Sequence, residues 1–126
     1  MSKENRGSLA SSFGYAFEGI AACISGERNI KIHLSVAAAV VICGFIFKLS
    51  PIEWCICLTL FGLVLALELV NTAIEAVVDL VTEERKPLAK KAKDTAAGAV
   101  LIAAIMAAVA GLIIFVPKGL SFLGFI

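Results

Sequence analysis

Four polar residues stand inside one long apolar stretch of this chain. They are Glu68, Asn71, Glu75 and Asp79, within the segment 54–81, WCICLTLFGLVLALELVNTAIEAVVDLV. Their spacings are 3, 4 and 4, so at about 100° per residue they share a sector of roughly 80° on one helix face. An acidic side chain at the centre of a bilayer costs about 2.5–3.5 kcal/mol on insertion scales, and such residues line functional paths. Three carboxylates and an amide in one stripe about 16 Å long suit a site that handles cations, protons or phosphates.

The elements that must position this stripe are membrane spans. Of the 126 residues, 60% are hydrophobic, above the 45–50% apolar share of soluble domains, and the length suits a single domain. The net charge of +1 offers no basic field, and no nucleic-acid partner is expected. Basic residues cluster at Lys3, Arg6, Arg28 and Lys31 and again at Arg85, Lys86, Lys90, Lys91 and Lys93, whereas Lys48 and Lys118 stand alone. The positive-inside rule therefore places the N-terminus and the 82–94 loop in the cytoplasm, and the 48–53 link and the C-terminus outside. Three crossings satisfy that arrangement. Cys23, Cys43, Cys55 and Cys57 form no CxxC pair and read as small buried apolar side chains, not as a metal or redox set. No cleavable signal peptide is expected, because no compact apolar core with a small-residue cleavage site follows the polar start.

Residues 8–25 carry Leu9, Phe13, Phe17, Ile20 and Ile24 at helical spacing, opposite Ser11, Tyr15, Glu18 and Ala22. This is an amphipathic helix, either lying on the cytoplasmic membrane surface or packed on its neighbours. The turn 25–29, SGERN, holds Glu27 between that helix and the first span. Spans are expected at about 32–49, 54–81 and 95–116. Pro51 marks the outer turn and Trp54 an interfacial anchor. The second span, about 40 Å long, should project into the cytoplasm, with Glu68 deepest and Asn71, Glu75 and Asp79 progressively nearer that surface. The third closes at Val116, Pro117 and Lys118. Its Ala99, Ala103, Ala107 and Gly111, at intervals of four, form a small-residue face for close helix packing. Three spans enclose little volume, so self-association is expected to shield the stripe from lipid.

The order Glu68-x2-Asn71-Thr72-Ala73-Ile74-Glu75-x3-Asp79 closely resembles the signature of the small prokaryotic integral-membrane diacylglycerol kinase and undecaprenol kinase family. Gly14-Tyr15 with Gly19, Glu27, and Ala92-Lys93-Asp94 fall in register with it, so the resemblance runs from residue 8 to about 116. It implies a homotrimer in a bacterial plasma membrane, each subunit an all-α protein with an N-terminal amphipathic surface helix and three transmembrane helices. The implied activity is transfer of the γ-phosphoryl group of ATP, with Mg2+, to the hydroxyl of a membrane lipid. Neither a G-x-x-x-x-G-K-[ST] loop nor a protein-kinase motif set is present, so motif search alone would not find a kinase.

By resemblance Glu68 is the catalytic base, and with Asn71 it meets the lipid substrate. Glu27 and Glu75 are the metal carboxylates, since magnesium commonly takes one or two carboxylates with phosphates and water. Tyr15, Glu27, Asn71, Glu75, Asp79, Glu84, Lys86, Lys93 and Asp94 match nucleotide-contacting positions. Several alternatives stay open. Asn71 could orient Glu68 or a phosphate oxygen, or simply bond between helices. Asp79 could pair with Lys93 instead of serving the nucleotide, and Tyr15 could be an interfacial anchor. Lys90 and Lys91 suit contact with anionic lipid. His33 reads as a structural or headgroup contact, because Glu68 already fills the role of base.

Two features bear on the acceptor. Ser8 and Ser11 stand before Gly14-Tyr15, with Arg6 earlier, where the diacylglycerol-directed members carry a basic residue. Residues 27–33, ERNIKIH, resemble the branch that phosphorylates undecaprenol. Undecaprenol is therefore the expected acceptor and diacylglycerol the alternative. A reading of another class is a proton or cation channel or a transporter subunit. Against it, Cys55 to Ala66 offers only Thr59 as a polar break, so the stripe stops about midway and suits a site opened to the cytoplasm.

Overall fold

An extended residue or a proline marks each boundary between the described helices. In the computed structural model, which describes residues 7–126, there are four helices and, among the described residues, no strand. Helix α1 runs Leu9–Gly26, α2 Arg28–Ile46, α3 Pro51–Val81 and α4 Pro87–Phe122. The last three are long and apolar enough to cross a membrane. Proline at the first helical position opens both α3 and α4, where its missing N–H costs nothing and its fixed φ is already helical.

The expected turn at 25–29 contracts to a single residue. Glu27, in extended backbone, is at once the C-cap of α1 and the N-cap of α2, so the first span begins at Arg28 and not near 32. That span ends at Ile46 instead of 49, because Lys48 takes a left-handed φ of 54° that an α-helix cannot contain. Helix α3 starts at Pro51, three residues before the expected 54, and a capping box explains it. The Ser50 hydroxyl accepts from the Glu53 backbone N–H while Glu53 accepts from the Ser50 N–H, which satisfies two otherwise orphaned donors.

Helix α4 departs most from expectation. The loop expected over 82–94 is confined to Thr82–Lys86, and the helix then runs through Pro117 to Phe122 instead of closing at 116. Proline removes one backbone hydrogen bond, and a membrane helix can tolerate that loss. Beyond it, Lys118 pairs with Glu53 at 3.2 Å, and Phe47 stacks against Phe115 and Phe122 at 6.1 and 5.6 Å. These contacts hold the last turns onto the α2–α3 corner.

The principal packing is α3 on α4, with α2 lying along α3 and α1 touching both α2 and α3. Cys57, Val64, Glu68 and Asn71 of α3 are buried, as are Ala96, Val100 and Ala103 of α4. The small-residue face is therefore rotated from the one read in the sequence. Of Ala99, Ala103, Ala107 and Gly111, only Ala103 is fully buried and Ala99 is exposed. A strict interval of four drifts about 40° per step around a helix, whereas the observed 96, 100, 103 and 107 average near 3.6 and stay on one side.

Elsewhere the helices are sheathed in exposed apolar side chains, among them Phe45, Ile102 and Ile113, a surface suited to lipid or to further subunits. All four cysteines are free; Cys23 and Cys57 are buried as expected, Cys43 is half-buried and Cys55 is exposed. At the outer corner Gly44 admits the Trp54 ring, and a Cβ there would sit 2.6 Å from Trp54 Cη2.

Candidate functional site

The deepest member of the stripe is also the most enclosed. Glu68 is 3% exposed, and its Oε1 lies 3.1 Å from Nε2 of His33 on α2. One turn along α3, Asn71 is buried too, but it does not reach Glu68. Its Nδ2 donates to Glu75 Oε1 at 3.2 Å, while its Oδ1 is buried without a hydrogen-bond partner. An unpaired buried carbonyl oxygen is uncommon and points to a group that completes the site. Glu68, Asn71, His33 and Asn29 share a cavity of about 350 Å³, closed on the α4 side by Ala97, Val100, Leu101 and Ala104. A second cavity, about 330 Å³, adjoins it through Ile32, His33 and Ala104 and is walled by apolar residues such as Val36, Phe61 and Val64. The polar chamber thus borders directly on a greasy one.

Glu27 stands apart from this chamber. The one-residue joint presents it to a crevice of about 580 Å³ between α1 and α3, with Gly19, Cys23, Thr72, Ala73 and Ala76. The α3 turn that lines the crevice is the turn that carries Glu75. Cys23 Sγ and Thr72 Oγ1, 3.4 Å apart, pin α1 to α3 at this level. No three His, Cys, Asp or Glu side chains converge into a metal cage among the described residues. Magnesium does not require one, because phosphates and water complete its octahedron.

At the turn between α3 and α4 a cleft of about 620 Å³ collects Asp79, Glu84, Arg85, Lys86, Lys93 and Asp94. Five of the nine sequence-derived nucleotide positions, Asp79, Glu84, Lys86, Lys93 and Asp94, come together here, whereas Tyr15, Glu27, Asn71 and Glu75 do not line this cleft. Lys93 binds Asp79 at 2.5 Å, Lys90 pairs with Asp94, and Lys86 lies 3.6 Å from Glu84. Lys90 thus has a protein partner in Asp94 while staying exposed, and Lys91 is exposed too. The Asp79 carboxylate beside it holds the Lys93 ammonium above its ordinary range. These exposed pairs add little stability, so a polyanion entering the cleft can displace them cheaply. Lysine ammonium groups are suitable point charges for phosphate.

Tyr15 is not among the residues that line any of these spaces; it is exposed on α1, and within one chain it stays clear of the cleft at the α3–α4 turn. The contact that sequence reasoning missed is His33 with Glu68. Spacing along one helix reveals which residues share a face, but not which residue of another helix lies opposite. Nor did the sequence single out Asn29, whose place on the chamber wall follows from the early start of α2.

With this geometry established, similarity to known proteins is informative. The sequence model of prokaryotic diacylglycerol kinase matches residues 14–115. Undecaprenol kinase of Bacillus subtilis is 49% identical over 120 residues, covering 93% of this chain and 98% of that protein. Diacylglycerol kinase of Synechocystis is 42% identical over 114 residues, 90% of this chain and 65% of its own length. The diacylglycerol kinase of Escherichia coli K12 is 35% identical over 97 residues, 76% and 79% of the two chains. The matched segment takes in most of α1, all of α2 and α3, most of α4 and every candidate site residue from Tyr15 to Asp94, and on that ground the chain belongs to the prokaryotic diacylglycerol kinase family.

Proposed function

We propose that this protein is a membrane lipid kinase that transfers the γ-phosphoryl group of ATP to the hydroxyl of undecaprenol. The observation that carries the chemistry is a carboxylate, Glu68, buried in a chamber that borders an apolar cavity, on the helix whose C-terminal end lines a cleft of interleaved basic and acidic side chains. A lipid alcohol needs both a greasy berth and a proton acceptor at its hydroxyl. Phosphoryl transfer needs little else beyond placement and charge neutralisation.

In this reading Glu68 takes the proton of the lipid hydroxyl as its oxygen bonds to the γ-phosphorus. The bond from that phosphorus to the β-γ bridging oxygen breaks, and ADP departs. Lys86, Lys93 and Asp94 orient the nucleotide in the cleft with Asp79 and Glu84. Glu27 and Glu75 would hold Mg2+, whose chemistry there is neutralisation of phosphate charge. The donor types fit a hard cation: two carboxylates, Glu27 at the α1–α2 joint and Glu75 on α3, with the unpaired Asn71 oxygen beside Glu75. Tyr15 would reach the nucleotide of a neighbouring subunit in a homotrimer, an assembly that the exposed apolar surface also favours. The N-terminus and the Thr82–Lys86 turn face the cytoplasm, and the C-terminus faces out, by the distribution of basic residues.

Undecaprenol is favoured over diacylglycerol by the identity to the Bacillus subtilis enzyme over nearly its whole length and by the 27–33 stretch. Diacylglycerol is the second reading, because several relatives carry that name. A conduit for ions is disfavoured, since the outer half of α3 presents apolar side chains with Thr59 alone among them.

The test is phosphate transfer from ATP and Mg2+ by purified protein in mixed micelles, with undecaprenol and diacylglycerol offered separately and in competition. Preferred labelling of undecaprenol, lost in Glu68→Gln, is the expected result. Preferred labelling of diacylglycerol would overturn the acceptor, and no labelling of either by folded protein would overturn the kinase reading.

A further inference from the structure

The chamber around Glu68 contains a second group able to carry or share a proton, and the phosphoryl-transfer scheme does not use it. We propose that His33 is a positioning residue for Glu68: its Nε2–H holds Oε1, so that the other carboxylate oxygen is presented to the acceptor hydroxyl. The inference rests on the assignment of Glu68 as the base.

Glu68 has three side-chain torsions and, among the described residues, one hydrogen-bond partner, His33 at 3.1 Å. Asn71 would be the obvious alternative from its place one turn along the same helix, but its amide is committed to Glu75. The bond is also shielded. The Glu68 side chain is 4% exposed and that of His33 24%, so water competes poorly for either end and the interaction is stronger than at a surface. Because Glu68 is acceptor-only when ionised, Nε2 must carry the hydrogen, whether the ring is neutral or charged. One oxygen is thereby fixed. The second is left to the chamber, whose other polar walls are the Asn29 and Asn71 amides.

The two partners come from different helices, which gives the contact its meaning. His33 approaches from α2 and Glu68 from α3, so the bond sets the carboxylate relative to the wall across which the lipid must enter. A base held in one rotamer by a second residue is effective because placement errors of about 1 Å are costly in such reactions.

The position of the donor atom makes the proposal testable. Glutamine can put its Nε2 close to where the imidazole Nε2 lies, whereas asparagine, one methylene shorter, cannot. In the mixed-micelle assay His33→Ala should lower kcat by about 10–100-fold while KM for MgATP stays within about twofold, because the nucleotide cleft is elsewhere. His33→Gln should recover most of that loss and His33→Asn should not. The double variant Glu68→Gln/His33→Ala should be no slower than Glu68→Gln alone, since a positioning residue has nothing left to position. If Glu68→Gln is inactive but His33→Ala keeps its kcat, the positioning role is wrong and the base assignment stands. If Glu68→Gln keeps its activity, the base assignment itself fails. Equal losses in the Gln and Asn variants would reduce His33 to a packing residue. Should His33→Ala not fold, the contrast between Gln and Asn still decides.

Discussion

At the scale of single residues, the unpaired Asn71 oxygen and the bond from the same side chain to Glu75 divide labour in a way that can be measured. Glu75→Gln should raise the magnesium concentration for half-maximal activity by at least about tenfold, because one charged ligand of a weakly chelated cation is lost. Asn71→Leu should give a smaller rise, since Glu75 is freed but still charged. Magnesium titrations of initial rate read both, and a Glu75→Gln enzyme with an unchanged magnesium requirement would remove Glu75 from the metal site. The stripe itself was legible because an acidic residue in an apolar span is costly enough to stand out. The target of Asn71 was not. Glu68 and Glu75 lie three and four residues from it along the same face, and which of them its amide reaches is a matter of side-chain rotamer that spacing does not give.

The helices show which boundaries local chemistry sets and which depend on contacts from elsewhere. The outer corner is built by close approach of Gly44 to Trp54, so Gly44→Ala should destabilise the fold by about 1–3 kcal/mol, as overpacking does. Thermal or denaturant unfolding in detergent would show it, and Gly44→Ala combined with Trp54→Leu should recover part of the loss. Lys48, at φ 54°, is strained for a side chain that gains nothing local from that conformation. Lys48→Gly should stabilise by about 0.5–1 kcal/mol in the same measurement. The three spans and the amphipathic helix were readable from periodicity and proline position. The end of α4 was not, because Pro117 is a valid stop signal that distant groups, Glu53 and Phe47, overrule.

For the whole molecule, the apolar sheath on α2 and α4 and the separation of Tyr15 from the cleft at the α3–α4 turn argue at the level of assembly. Cross-linking in mild detergent should yield a three-subunit species, and a monomer with full activity would overturn the trimer. In a chain cleared of native cysteines, Glu84→Cys should react with an impermeant maleimide only in inside-out vesicles and Ser121→Cys only in right-side-out ones. The number of crossings was legible in the sequence; the assembly was not, because apolar faces look alike whichever surface covers them. The joint at Glu27, one residue between two helices, has one more consequence. An inserted residue there would turn α1 by about 100° and advance it about 1.5 Å, swinging the exposed apolar side chains of Leu9, Phe13 and Phe17 to another side of the molecule and Glu27 out of its crevice. The chain can therefore change its residues around this joint far more freely than its length, and insertions that a loop elsewhere would absorb should be lethal to activity here.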